Sequence, residues 1–122
     1  MARRPLAPCP ASPNCVSTVA PPEDSQHAIA PYLYRTSRAE AKAVLKTTVA
    51  GLPRTKLIED DDTYLHYECT SLLLRFVDDV EFVFDDEAKL IHFRSASRIG
   101  YGDLGVNRRR MEHIRSRLDG RL

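Results

Sequence analysis

Two stretches of the chain carry apolar residues at the three- and four-residue spacing of an amphipathic helix. The first follows Ser37 and Glu40, whose spacing matches a capping box, and it ends at Gly51 and Pro53. The second covers about 106–118 and is followed by a glycine, which favours a helix end. The pattern therefore predicts two helices, one starting near Ser37 and one close to the C-terminal end.

Between these helices, apolar and polar residues alternate, which is the pattern of strands with one buried face. Acidic turns separate the alternating segments. We predict an α+β domain in which a four-stranded antiparallel meander sheet carries both helices on one face. The four predicted strands are 56–59, 63–70, 80–84 and 89–95.

Residues 1–31 contain most of the prolines of the chain. Proline removes a backbone donor and fixes φ, so regular helix or sheet is not expected in this segment. We predict an extended, proline-rich N-terminal arm over 1–31 and a single α+β domain over 32–122. Buriable residues such as Cys15 and Val16 indicate that the arm packs against the domain.

Composition and charge narrow the class of protein. The 122 residues are 43% hydrophobic and 29% charged, which is typical of one globular domain. The formal net charge is +1, so overall charge gives no general pull towards nucleic acid or an anionic membrane. The distribution is uneven, because the middle of the chain is acidic and the end is rich in arginine. We expect no nucleic-acid partner.

No apolar segment is long enough to span a bilayer, and no apolar run follows the basic start of the chain. We therefore expect no membrane span and a soluble, cytoplasmic protein, unless a leader has been removed. The sequence leaves the oligomeric state open.

The three cysteines leave two alternatives open. Cys9 and Cys15 are either free thiols in a reducing compartment or a disulfide that closes a small loop. Cys69 lies in an apolar alternation and is expected in the core. Two thiols without a second ligand pair are weak support for zinc, so we predict no metal and no cofactor.

The densest group of polar residues lies in 94–110, where a strand gives way to the second helix. Glycines allow close backbone approach, a helix start offers free amides, and arginine forks suit carboxylate or phosphate. The glycine spacing matches neither a P-loop nor a dinucleotide fingerprint. The segment predicts a site for an anionic ligand formed by Arg94, Ser95, Ser97, Arg98, Asn107 and Arg108.

A structural interpretation of the same segment stays open. The arginines can pair with internal carboxylates, and Asp103 or Asn107 can cap the second helix. Adjacent acids in a strand point to opposite faces, which weakens a shared cation site at 78–79. The candidates for a structural polar network are Asp78, Asp79, Glu81 and Asp103.

The helix-free face of the sheet is a second candidate region. Alternation places there His66, Glu68, Glu81, His92 and Arg94. A histidine beside a carboxylate is a possible acid–base pair, so a small enzyme is an alternative function. Exposed strands carry such residues without catalysis as well, and no catalytic residue is assigned.

Three segments, 9–16, 76–82 and 94–110, together resemble the bacterial and plastid family called domain of unknown function 1499. The resemblance spans Cys9 to about Leu118. It implies no activity, because the family has none established, and so it supplies no catalytic residues. The resemblance implies that many members carry leader or anchor segments, whereas we expect none in this chain unless a leader has been removed. The resemblance draws attention to Asn14, Asp78, Asp79, Glu81, Arg94, Ser95, Ser97, Arg98, Asp103, Asn107 and Arg108.

Taken together, the sequence favours a non-enzymatic binding or interaction module. Its site is expected at the glycine-rich loop and the start of the last helix, and its partner is a small anionic ligand or a protein. The alternatives are the small enzyme on the outer sheet face and a purely structural or oligomerisation module.

Overall fold

The described part of the chain forms two helices and six strands. The computed structural model describes residues 5–100 and 102–122, so the first four residues of the predicted arm and Tyr101 of the glycine-rich segment lie outside the described residues. The elements are β1 (Cys15–Ser17), β2 (Tyr32–Leu33), α1 (Arg38–Ala50), β3 (Thr55–Asp61), β4 (Tyr64–Thr70), β5 (Val77–Asp85), β6 (Leu90–Ser97) and α2 (Val106–Leu118).

Local interactions of the backbone mark the first residue of each helix. The Ser37 side chain accepts a hydrogen bond from the Glu40 amide at 3.1 Å, so the predicted cap of α1 is confirmed. Gly51 ends this helix. The start of α2 follows Gly105, whose φ of 79° lies in the left-handed region that glycine adopts without strain.

The sheet is antiparallel, with the strand order β1-β6-β5-β4-β3, and β2 also pairs with β6. The meander of β3 to β6 is the predicted one, but the sheet has six strands and not four. β1 and β2 contain three and two residues, which is too short for alternation to show in the sequence. They are strands because their backbones pair with the long strand β6, not because their residues alternate between apolar and polar.

The prediction of an extended arm is not supported by the structure. β1 comes from the proline-rich segment and pairs with the end of β6, and the Ser17 amide donates to the His27 carbonyl at 2.8 Å. Residues 5–14 have no regular secondary structure. The boundary proposed between residues 31 and 32 stays a prediction.

One face of the sheet carries both helices and the core. Ala41, Leu45 and Val49 of α1 lie in the same buried cluster as Met111 and Ile114 of α2. Burial of these side chains is the main stabilising contribution to the fold. The sheet side of the cluster consists of Leu65, Tyr67, Cys69, Val80, Phe82, Phe84, Ile91 and Phe93.

No helix among the described residues is both long and apolar enough to cross a membrane.

Candidate functional site

The candidate residues divide between the two faces of strands β5 and β6. Register pairs Asp78 with Ser97 and pairs Glu81 with Arg94. Because side chains alternate along a strand, the first pair faces the helices and the second faces away from them. The sequence motif therefore forms two separate polar groups of residues.

We call the group on the helix side the inner network. Its centre is Asn107, which is fully buried in the first turns of α2. The Asn107 Oδ1 accepts hydrogen bonds from Ser95 Oγ at 2.6 Å and from Arg110 Nη1 at 2.9 Å. Its Nδ2 donates to Ser97 Oγ at 3.1 Å and to Asp103 Oδ2 at 2.8 Å. All the side-chain hydrogen-bonding capacity of Asn107 is used.

An ion pair completes the inner network. Arg110 Nη2 donates to Asp78 Oδ2 at 2.7 Å, and both side chains are largely buried. Sequence reasoning did not place Arg110 in the predicted site, although its position three residues after Asn107 puts the two on one helix face. The pair leaves no free charge for a ligand.

The N-terminal end of α2 already holds an anion, the carboxylate of Asp103. Its Oδ1 accepts from the Gly105 amide at 2.8 Å and its Oδ2 from the Asn107 amide at 3.0 Å. Burial raises the pKa of Asp103, but these hydrogen bonds outweigh burial and hold it below its ordinary value. The amides that the sequence offered to an external anion therefore have an internal acceptor.

Asn14 connects the segment before β1 to the inner network. Its Nδ2 donates to the Gly100 carbonyl at 2.9 Å, and its own carbonyl accepts from Asn107 Nδ2 at 3.3 Å. The structure joins the neighbouring Cys15 to Cys9 in a disulfide, with the two Cα atoms 5.8 Å apart.

We call the polar group on the helix-free face the outer cluster. Arg98 donates to both oxygens of Asp79, at 2.8 and 2.9 Å, and to Glu68 Oε2 at 2.5 Å. His66 Nε2 lies 2.8 Å from Asp79 Oδ1. The hydrogen bonds from Arg98 hold the pKa of Asp79 below its ordinary value, against burial, and the bond from His66 adds to this lowering.

Two further groups extend the outer cluster. Tyr64 Oη donates to Glu81 Oε2 at 2.6 Å, and Arg94 Nη1 lies 4.0 Å from Glu81 Oε1. Arg94 Nε is buried without a hydrogen-bond partner among the described residues. His92 faces the same side, and its Nδ1 lies 3.0 Å from Thr18 Oγ1.

Arg108 occupies a third place, apart from both groups. Its Nη2 donates to the carbonyls of Ser25, Gln26 and Ala28, at 3.4, 3.2 and 2.9 Å. Within the part of the chain that the structure describes, this guanidinium has no carboxylate partner. Arg108 lines a groove of about 340 Å³ beside the glycine-rich loop.

His27 lies beside this segment and was missed by sequence reasoning. Its Nε2 lies 2.8 Å from the Ser12 carbonyl, and its Nδ1 lies 2.7 Å from Asp24 Oδ2. The carbonyl of Ser12 and then the carboxylate of Asp24 raise the pKa of His27, and the charge of Arg108 opposes them. An aspartate three residues before a histidine was the available signal.

The structure thus does not gather the six predicted ligand-binding residues at one point. Ser95, Ser97 and Asn107 belong to the inner network, and Arg94 and Arg98 lie on the outer face. Only Arg108 lines the groove at the predicted corner. In the described ranges, no group of three or more histidine, cysteine or acidic side chains is placed to hold a metal ion.

Comparison with known proteins agrees with the resemblance found in the sequence. The model of the family described as "Protein of unknown function (DUF1499)" matches residues 5–118. No curated protein and no solved structure matches the chain.

Proposed function

We propose that this protein, which belongs to the DUF1499 family of unknown function, is a non-enzymatic binding module for a small anionic ligand. The proposal keeps the corner that the sequence indicated but moves its centre to Arg108. One observation carries it: Arg108 is a fixed guanidinium without a described carboxylate partner, and it lines a groove.

The carbonyls around Arg108 fix its position without neutralising it. Among the described residues, three backbone oxygens accept from Nη2, so Nη1 and Nε keep their N–H donors. These two donors point to different sides of the guanidinium, so each can donate one charge-assisted hydrogen bond to a carboxylate or phosphate oxygen. Holding the guanidinium in place before binding reduces the entropy that binding must overcome.

The groove indicates the rest of the ligand. Its apolar walls are Pro13, Val16 and Leu104, and its polar side chains are Gln26, Arg108 and Asp103. The Asp103 carboxylate already accepts from the Gly105 and Asn107 amides. A volume of about 340 Å³ lies at the small end of the range for ligand sites. We therefore expect a small carboxylate or phosphate compound with a short apolar portion.

Two of the other arginines named in this segment, Arg98 and Arg110, support the choice of Arg108 by contrast. Arg98 is held by two carboxylates and Arg110 by one, so an added anion would have to displace them. Displacement would leave a charge without its partner, which is costly when the group is buried.

A thermal-melt screen with phosphate and small carboxylates tests the proposal. Binding to the folded state alone raises the melting temperature, by an amount that grows with the logarithm of one plus the ratio of free ligand concentration to Kd. The ligand should raise the melting temperature of wild type but not that of Arg108→Gln. Each protein is compared with its own melting temperature without ligand. Arg117→Gln removes the same charge from an exposed position on α2 and should keep the shift. Equal shifts in both variants, or none in wild type, would contradict the proposal.

A second candidate function is acid–base catalysis on the outer face. The pair His66–Asp79, at 2.8 Å, is the observation that favours it, because a carboxylate can orient an imidazole for proton transfer. Arg98 binds the same carboxylate and competes for it. Turnover of chromogenic esters or phosphoesters by wild type, abolished in His66→Gln but kept in His113→Gln, would favour this candidate over the binding module.

A further inference from the structure

Large apolar side chains are exposed at one end of the molecule. The loop 71–76 between β4 and β5 carries three consecutive leucines and a phenylalanine, and Leu73 is 87% exposed. Ile99 and Leu104 add to them, with Leu104 at 92%. Soluble proteins rarely expose so many large apolar side chains together, and such a patch marks a surface that interacts with another molecule.

The strand pairing brings these residues to the same end. Loop 71–76 is closed by the Ser71 amide, which donates to the Phe76 carbonyl at 2.9 Å. The Arg98 amide donates to the Val77 carbonyl at 3.1 Å, so Ile99 follows directly at the base of this loop. The hydrogen bond from Asn107 to Ser97 places the start of α2, and with it Leu104, at the same end of the sheet.

Arginines without carboxylate partners accompany the apolar tips. Arg75 lies within the loop, is exposed and makes no hydrogen bond or ion pair with another described residue. Within the described ranges, Arg54 donates to the Thr70 carbonyl alone, at 3.0 Å, and Arg109 to the Leu104 carbonyl alone, at 2.5 Å. These three side chains add positive charge to the apolar end, and none of them has a carboxylate partner among the described residues.

The opposite end of the sheet carries acidic turns. β3 ends at Asp61 and is followed by Asp62, and β5 ends at Asp85 and is followed by Asp86 and Glu87. Basic groups balance part of this charge, because Arg38 pairs with Asp86, and Lys42 and Lys46 pair with Asp60. In front of an anionic surface, the arginines of the apolar end favour contact through that end.

We propose that the end formed by loop 71–76, Ile99 and Leu104 docks on an anionic phospholipid surface. Protruding apolar tips flanked by arginines fit the interface of a bilayer, where apolar groups enter the headgroup boundary and guanidinium groups meet the phosphates. Leu104 also lines the anion groove, but the docking does not rest on anion binding there, since Arg108 takes no part in it.

Vesicle co-sedimentation tests this docking. The full chain should bind phosphatidylcholine vesicles that contain phosphatidylserine, and bind pure phosphatidylcholine vesicles weakly. Leu73→Ser/Leu74→Ser should lower the partition coefficient at least about tenfold, because two aliphatic side chains no longer enter the interface. The matched control is Val19→Ser/Leu33→Ser, which alters two exposed aliphatic residues away from this end and should leave binding unchanged.

Charge is tested separately. Arg75→Gln should weaken binding to the anionic vesicles and reduce its dependence on salt. Arg108→Gln should bind vesicles as wild type does, so failure of the anion groove and failure of the docking are distinguishable. Three results would overturn the docking: no binding to anionic vesicles at low salt, equal binding by the leucine variant, or a concentration-dependent dimer that the leucine variant abolishes.

Discussion

Asp78 and Asp79 are chemically identical neighbours in β5, yet their surroundings differ. Asp78 faces the helices and pairs with the largely buried Arg110, inside a network centred on Asn107. Asp79 faces away from the helices and pairs with Arg98 and His66, which remain partly exposed. The same residue type therefore contributes to an enclosed network on one face and an accessible cluster on the other.

The difference indicates which parts of the family motif are structural. Inside, Asn107 uses every donor and acceptor of its side chain, so no ligand can be added without breaking a bond. Outside, water reaches the charged groups and screens them. We infer that the inner residues hold α2 on the sheet, whereas interactions with other molecules are confined to the exposed groups.

Replacing each aspartate by alanine tests this comparison most strongly. Asp78→Ala leaves the charge of Arg110 buried without a partner, and we expect a loss of about 4 kcal/mol in the free energy of unfolding. Asp79→Ala breaks a partly exposed pair, and we expect a loss of about 1 kcal/mol or less. Urea denaturation measures both. Equal losses would remove the distinction between the two faces.

Asn107→Ala is expected to have the next largest effect. The substitution removes the acceptor of the buried Ser95 hydroxyl and one of the acceptors of Arg110, and the loss of these bonds should cost about 3 kcal/mol. Ser116→Ala, at an exposed position of the same helix, is the control and should change stability little. If Asn107→Ala unfolds at the wild-type urea concentration, the inner network does not hold the helix.

Cys9→Ser should have a smaller effect than either inner substitution. The disulfide closes a loop with a sequence separation of 6, and such a short loop constrains the unfolded chain by about 2 kcal/mol. Without the disulfide, the segment around Pro8 should be held less firmly against the domain. The Pro8 carbonyl accepts a hydrogen bond from Arg94 at 3.4 Å, and this contact should weaken. Urea denaturation of Cys9→Ser, beside wild type with and without reductant, measures the effect. A wild type that is insensitive to reductant would contradict it.

The smallest expected effect is on the pH dependence of stability. The pKa of Asp79 is lowered from 3.8 by folding, so its pairing stabilises the protein above that pH. This contribution is lost as the pH falls through the folded pKa. Asp79→Asn should therefore show a shallower loss of stability on acidification, by about 1 kcal/mol or less. The control Asp119→Asn removes an exposed carboxylate without an ion pair to a described residue and should follow wild type.

Local chemistry made much of the fold predictable. The capping box at Ser37, the apolar spacing of 106–118 and the alternation of four segments depend on neighbours within a few residues. The same alternation placed His66, Glu81 and Arg94 on the helix-free face, where the structure also has them. Periodicity suffices for such features, because it reports which face of an element is buried.

Tertiary contacts decided the rest. β1 and β2 exist because β6 offers an edge to pair with, and their few residues carry no pattern of their own. The partner of Asp78 is Arg110, 32 residues away, and the oxygens that hold Arg108 belong to residues 25–28. Spacing within the chain cannot select among eight C-terminal arginines for these contacts. The sequence determined which residues are polar and which face of their strand or helix they occupy. Contacts between residues far apart in the sequence determined which polar groups pair with each other, and which N–H donors have no partner among the described residues.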